Sequence, residues 1–196
     1  MADYNGTDEG DIIDASELDS DIGNIYPGKG NDTVTNATSK HTIVTGPGED
    51  TISGTKTSYA LWNANQGVII NLKEGWSEDG FGTRDNVSGI ETIHGTRFGD
   101  TFYGTENYEK FFANGGDNIL NMGGGDDRVS YASGNSKDYT VTLVGDEIHV
   151  TGPTTKDIII GGRYVEFMAD NKIIDTDYFK QPITSTFIKT VYSFDD

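Results

Sequence analysis

Cysteine is absent from this chain of 196 residues, which excludes disulfides, thiolate metal sites and cysteine nucleophiles together. Basic residues are scarce: 14 Lys and Arg stand against 32 Asp and Glu, a formal charge of -18. Affinity for phosphate backbones comes from cationic side chains, so neither nucleic acid nor an anionic membrane surface is an expected partner. No apolar run approaches the roughly 20 residues of a membrane-spanning helix, and membrane insertion is not expected. The opening "MADYNGTDEGD" has neither the basic start nor the apolar stretch of a secretory signal peptide. His41, His94 and His149 are scattered without metalloprotease spacing, and no nucleophile elbow occurs. No catalytic residue is assigned.

What the chain has in abundance is glycine, 26 residues of it, and acid. A carboxylate surplus repels itself in a compact state, and divalent cations relieve that repulsion. The two residue types recur together. "PGKGNDTVT" at residues 27–35 and "TGPGEDTIS" at 45–53 carry Gly, Gly, Asp, Thr and a β-branched residue in matching places, 18 positions apart. Between them "NATSKHTIV" keeps only the apolar position, which sets the period at nine. On that grid Ile25, Val34, Ile43, Ile52, Leu61 and Ile70 form one apolar ladder. After an interruption, Ile93, Phe102, Phe111, Leu120 and Val129 form a second, with the blocks "GTRFGDTFY", "GTENYEKFF", "ANGGDNILN" and "MGGGDDRVS".

Six turn-prone residues followed by three strand residues, the central one apolar, describe a chain that reverses direction at every repeat. Two repeats complete a coil, so residues 18 apart become neighbours. These blocks, with the partial copy "GTDEGDIID" at residues 6–14, resemble the RTX family of calcium-binding nonapeptide repeats, whose pattern is G-G-x-G-x-D-x-U-x. The resemblance implies an all-β fold: a right-handed parallel β-roll or β-helix over residues 1–136, closed by an antiparallel β cap over 137–196. Calcium is the implied cofactor. The carboxylates fall at the sixth position of each block, and the resemblance adds carbonyl ligands at positions two and four. The leading site is therefore Asp32 and Asp50 with Gly28, Gly30, Gly46 and Gly48. Asp11 joins this column if three residues near 15–17 bulge out. On the second ladder Asp100 pairs with Asn118, beside Gly116, and Glu109 pairs with Asp127, beside Gly123 and Gly125. Phe98, where glycine is usual, weakens the Asp100 site, and His41 and Tyr59 leave their own blocks without a standard ligand.

The interruption holds Trp62, Trp76 and Phe81. The spacing from Ile70 to Ile93 exceeds one coil by five residues and predicts a loop protruding near 73–86. Its aromatics suit either sugar stacking, with an extracellular polysaccharide as partner, or packing beneath the loop. Downstream, "YTVTLVGDEIHV" alternates as a hairpin turning at Gly145-Asp146, and "DIIIGG" and "RYVEFM" read as further strands. The final "STFIKTVYSFDD" is a candidate export signal of the type I secretion kind or a last strand. The expectation from these features is a non-catalytic, secreted module of a larger chain that folds on binding calcium and supports its export and stability. The alternatives are a carbohydrate-binding module and an accessory module of an alginate-type epimerase or lyase.

Overall fold

The computed structural model describes residues 1–179; the candidate export signal at 185–196 lies outside the described residues. Strand dominates, and α-helix is absent among the described residues. The strands in chain order are β1 (Ala2–Thr7), β2 (Ile12–Asp14), β3 (Ile22–Gly28), β4 (Thr33–Thr38), β5 (Thr42–Val44) and β6 (Thr51–Ala60). They continue with β7 (Ile69–Asn71), β8 (Trp76–Glu78), β9 (Arg84–His94), β10 (Thr101–Tyr103), β11 (Lys110–Phe112) and β12 (Ile119–Asn121). The last six are β13 (Arg128–Tyr131), β14 (Thr140–Val144), β15 (Glu147–Gly152), β16 (Thr155–Ile160), β17 (Tyr164–Phe167) and β18 (Lys172–Asp175).

Through the repeats a strand pairs in parallel with the strand after next. One ladder runs β1, β3, β5, the second half of β6, the second half of β9, β11, β13 and β17. The other runs β2, β4, then the first halves of β6 and β9. It continues through antiparallel β8 and β7 to parallel β10, β12 and β16. Because β6 and β9 pass through both ladders, all 18 strands belong to a single, mostly parallel sheet.

The nine-residue period sets the register. Ile25 stands opposite Ile43, Val34 opposite Ile52, Phe102 opposite Leu120, and Phe111 between Ile93 and Val129. All of these side chains are buried in one core. A three-residue strand such as β10 or β11 survives because its central residue is wholly buried, contributing about 1.5–3 kcal/mol relative to exposure, while its flanking residues face outward.

Three features depart from the sequence-based expectation. Tyr59, not Leu61, takes the rung opposite Ile43, because β6 crosses between ladders in fewer residues than a full turn needs. Leu61 is still buried, its N–H donating to the His94 carbonyl (3.0 Å). Residues 73–86 are not a protruding loop: β8 fills a place in the sheet between β7 and the start of β9, with Ser77 fully buried. The third concerns residue 136, where parallel pairing does not stop. Leu120 meets Ile159, and Val129 meets Val165, so β16 and β17 add a further rung to each ladder. Antiparallel β15, β14 and β18 then cover the end, and the hairpin of β14 and β15 turns at Gly145-Asp146 as its alternation predicts.

Candidate metal centre

The turns that precede the strands stack one above another, and the sixth-position side chains form a column. The Asp11 N–H donates to Asp32 Oδ1 (2.7 Å), the Asp32 N–H to Asp50 Oδ1 (2.8 Å) and the Asp50 N–H to Asp85 Oδ1 (3.0 Å). Each carboxylate thus caps the backbone of the turn before it, which is why Asp32 and Asp50 are neighbours. Asp11 joins the column, and its offset of 21 residues from Asp32 matches the register of Ile13 with Val34. The extra residues fall in the turn between β2 and β3. On the second ladder the Asp100 N–H donates to Asn118 Oδ1 (2.9 Å), the Asn118 N–H to Asp157 Oδ1 (2.9 Å) and the Glu109 N–H to Asp127 Oδ1 (2.7 Å).

These pairs differ in what their remaining oxygens do. Asp32 Oδ2, Asp50 Oδ2 and Asp127 Oδ2 are buried without a hydrogen-bond partner. Asp100 is fully engaged by the Val68 N–H (3.1 Å), the Thr96 N–H (2.7 Å) and Thr96 Oγ1 (2.7 Å). Glu109 accepts from the Thr105 N–H (3.1 Å) and from Thr105 Oγ1. Asn118 uses its amide to donate to the Gly115 carbonyl (3.2 Å) and Asp157 Oδ1 (2.9 Å). Burial first, and neighbouring carboxylates second, push Asp32 upward and raise both Asp50 and Asp127 to about 7.

Glycine makes the stacking possible. A Cβ on Gly46 would lie 1.9 Å from the Gly28 carbonyl oxygen, and one on Gly48 1.8 Å from that of Gly30. The carbonyls of one turn therefore press directly on the next. Two buried open carboxylate oxygens, in turns whose glycine carbonyls are the other oxygen donors at hand, match the chemistry of calcium, which takes six to eight oxygens of both kinds. Asp127, with Gly123 and Gly125, offers one open carboxylate, because Glu109 is already engaged. Among the described residues no three acidic, histidine or cysteine side chains converge in a manner able to hold a metal, so carbonyl ligands are essential to such a site. Phe98, at the place usually held by glycine, does not adopt a left-handed backbone. His41 is buried, its Nδ1 accepting the Thr38 N–H (3.0 Å).

Two members of the columns escape the period of nine. Asp85 lies 35 residues beyond Asp50 and Asp157 lies 39 beyond Asn118, because an extra hairpin intervenes in each case. Their signal is local: "RDNVS" and "KDIII" repeat the Asp, any residue, β-branched residue order of "NDTVT" and "EDTIS".

The three aromatics of the interruption are not gathered. Trp62 packs edge-on against His94 (5.3 Å), which stacks on Phe112 (4.5 Å). Trp76 donates from Nε1 to Glu74 (2.9 Å) and lies under the Arg84 guanidinium at 3.7 Å. Phe81 is half-buried, and its N–H, with those of Gly82 and Thr83, donates to Asp79 Oδ1. Among the described residues no ring contact joins any two of the three. Comparison of the chain with protein-family models and with curated proteins finds no match.

Proposed function

We propose that this chain is a calcium-binding module of the RTX kind, a parallel β-roll that completes its folding when calcium enters the glycine turns. In this reading it supports the secretion, folding and stability of a larger extracellular protein and carries no catalysis of its own. The observation that carries it is the set of three buried, unpartnered carboxylate oxygens on Asp32, Asp50 and Asp127, each in a turn with glycine at positions two and four. An unpaired carboxylate is costly to bury, and a divalent cation removes that cost for the charged form. The Asp32–Asp50 gap, with Gly28, Gly30, Gly46 and Gly48, is the principal site; Asp127 with Gly123 and Gly125 is a second.

Calcium that binds only the folded state stabilises it by about 2.7 kcal/mol per site at a hundredfold excess over the dissociation constant. Low cytosolic calcium leaves the module loose, and millimolar calcium outside the cell closes it. The test is isothermal titration and far-UV circular dichroism of wild type and Asp32→Ala with calcium. Uptake accompanied by a gain of β signal, reduced in the variant, is expected. A wild-type chain that takes up no calcium refutes the reading.

A further inference from the structure

We propose that the second residue of each turn selects between a turn that takes a cation and a turn that closes on itself, a reading that rests on the calcium function above. The open carboxylates Asp32, Asp50 and Asp127 all belong to turns with glycine at position two: Gly28, Gly46 and Gly123. In the turns of Asp11, Asp100 and Glu109 the same position is threonine. Thr7 donates its N–H (2.7 Å) and Oγ1 (2.9 Å) to Asp11 Oδ2. Thr96 donates both groups to Asp100, and Thr105 donates both to Glu109. One threonine thus supplies two donors to the carboxylate four residues on. That is the neutralisation of lone pairs that a cation otherwise provides.

The backbone divides the turns in the same way. At position four Gly30, Gly48 and Gly125 have φ of +96°, +150° and +108°, whereas Glu9, Phe98 and Asn107 in the threonine turns do not enter positive φ. The two kinds of turn thus differ in backbone conformation as well as in the residue at position two, the open turns using a left-handed conformation that glycine accommodates without steric cost. Glycine is required at position two of the open turns for a further reason: a Cβ at Gly28 or Gly123 would sit 1.7 or 2.1 Å from the carbonyl oxygen of Thr7 or Thr105. A threonine at Gly28 or Gly123 would not fit against the threonine turn on which it stacks.

Tyrosine closes the turns that have no position-two donor beyond the hairpins. The Tyr59 hydroxyl donates to Asp85 Oδ2 (2.5 Å) and the Tyr131 hydroxyl to Asp157 Oδ2 (2.6 Å), each pair 26 residues apart. The column through Asp32 and Asp50 and the column through Asp100 and Asn118 therefore end on a carboxylate whose second oxygen is taken, whereas the Glu109–Asp127 pair ends on the open Asp127. The chain interleaves metal-free closure with metal-dependent closure, and in the turns of Asp11, Asp32, Asp50, Asp100, Glu109 and Asp127 the choice follows the residue at position two.

Calcium stoichiometry by isothermal titration, with circular dichroism to verify folding, tests this. Asp32→Asn, Asp50→Asn and Asp127→Asn are each expected to weaken or remove an ion, whereas Asp100→Asn and Glu109→Gln leave count and affinity unchanged. The amide is tolerated at this position, since Asn118 occupies it natively. Thr105→Gly, which frees Glu109 beside Asp127, is expected to tighten binding at that gap at least tenfold. Loss of an ion in Asp100→Asn or Glu109→Gln, or unchanged binding in Thr105→Gly, overturns the selector. Should one of these variants not fold, the remaining two carry the same decision. A wild-type chain without bound calcium fails differently, overturning the calcium function and the selector with it.

Discussion

Replacing Asp50 by asparagine should change the sign of its effect when calcium is removed. The new amide keeps an oxygen for the Asp32 N–H, as Asn118 does for Asp100, but carries no charge. In the metal-free protein burial raises the Asp50 carboxyl from 3.8 to about 7. The folded chain then holds a proton that the unfolded chain releases, so this contribution to stability is complete below about pH 4 and is lost as pH rises towards 7. A shift of this size corresponds to about 2–4 kcal/mol, at ~1.4 kcal/mol per unit and allowing for residual solvent access. At pH 8 without calcium the variant should be the more stable protein by that amount. With calcium at a thousandfold excess over the dissociation constant the wild type gains about 4.1 kcal/mol from the ion at Asp32–Asp50 that the variant forgoes, and the order reverses. Urea unfolding followed by far-UV circular dichroism at pH 4, 6 and 8, in metal-stripped buffer and in millimolar calcium, measures both proteins under all six conditions. A variant less stable than wild type in metal-stripped buffer at pH 8 refutes the reasoning, as does a metal-free wild type equally stable at pH 4 and pH 8.

Three other outcomes follow from the packing. Gly48→Ala, which sets a Cβ against the Gly30 carbonyl at φ +150°, should cost about 2–5 kcal/mol from backbone strain and crowding together, read from urea midpoints in calcium. Phe102→Ala empties a fully buried rung between Ile70 and Leu120 and should cost about 3–5 kcal/mol, with calcium affinity at Asp32–Asp50 retained in the same titration. Asn118→Asp exchanges two amide donations, to Gly115 and Asp157, for a buried carboxylate beside another; it should lower stability by about 1–3 kcal/mol at pH 8. Thermal melts at pH 5 should recover much of that loss.

The ladders were legible because a buried residue every nine positions leaves a strong pattern. Ile25 with Ile43, Val34 with Ile52, and Phe102 with Leu120 all pair as the period requires. The Asp32–Asp50 adjacency follows from the same arithmetic. What the period could not show were the places where the chain departs from it. A short crossing in β6 moves the rung from Leu61 to Tyr59. The antiparallel β8 occupies residues that a fixed spacing reads as surplus. Asp85 and Asp157 lie beyond such insertions, so no constant offset reaches them. The division between open and closed carboxylates was unread for another reason: the threonine donors lie within a turn, whereas the period compares residues between turns.

The hydrogen bonds that join the columns have a direction. Each turn's sixth amide donates to a carboxylate that comes later in the chain, from Asp11 to Asp32 to Asp50 to Asp85. A chain delivered amino end first presents donors whose acceptors have not yet arrived, and every turn waits for its successor. Delivered carboxyl end first, the acceptors are in place before each donor appears, beginning from a carboxylate that Tyr59 or Tyr131 has already tied down. The order of assembly therefore depends on which end leads, and the same contacts become a ratchet in one direction and a queue in the other.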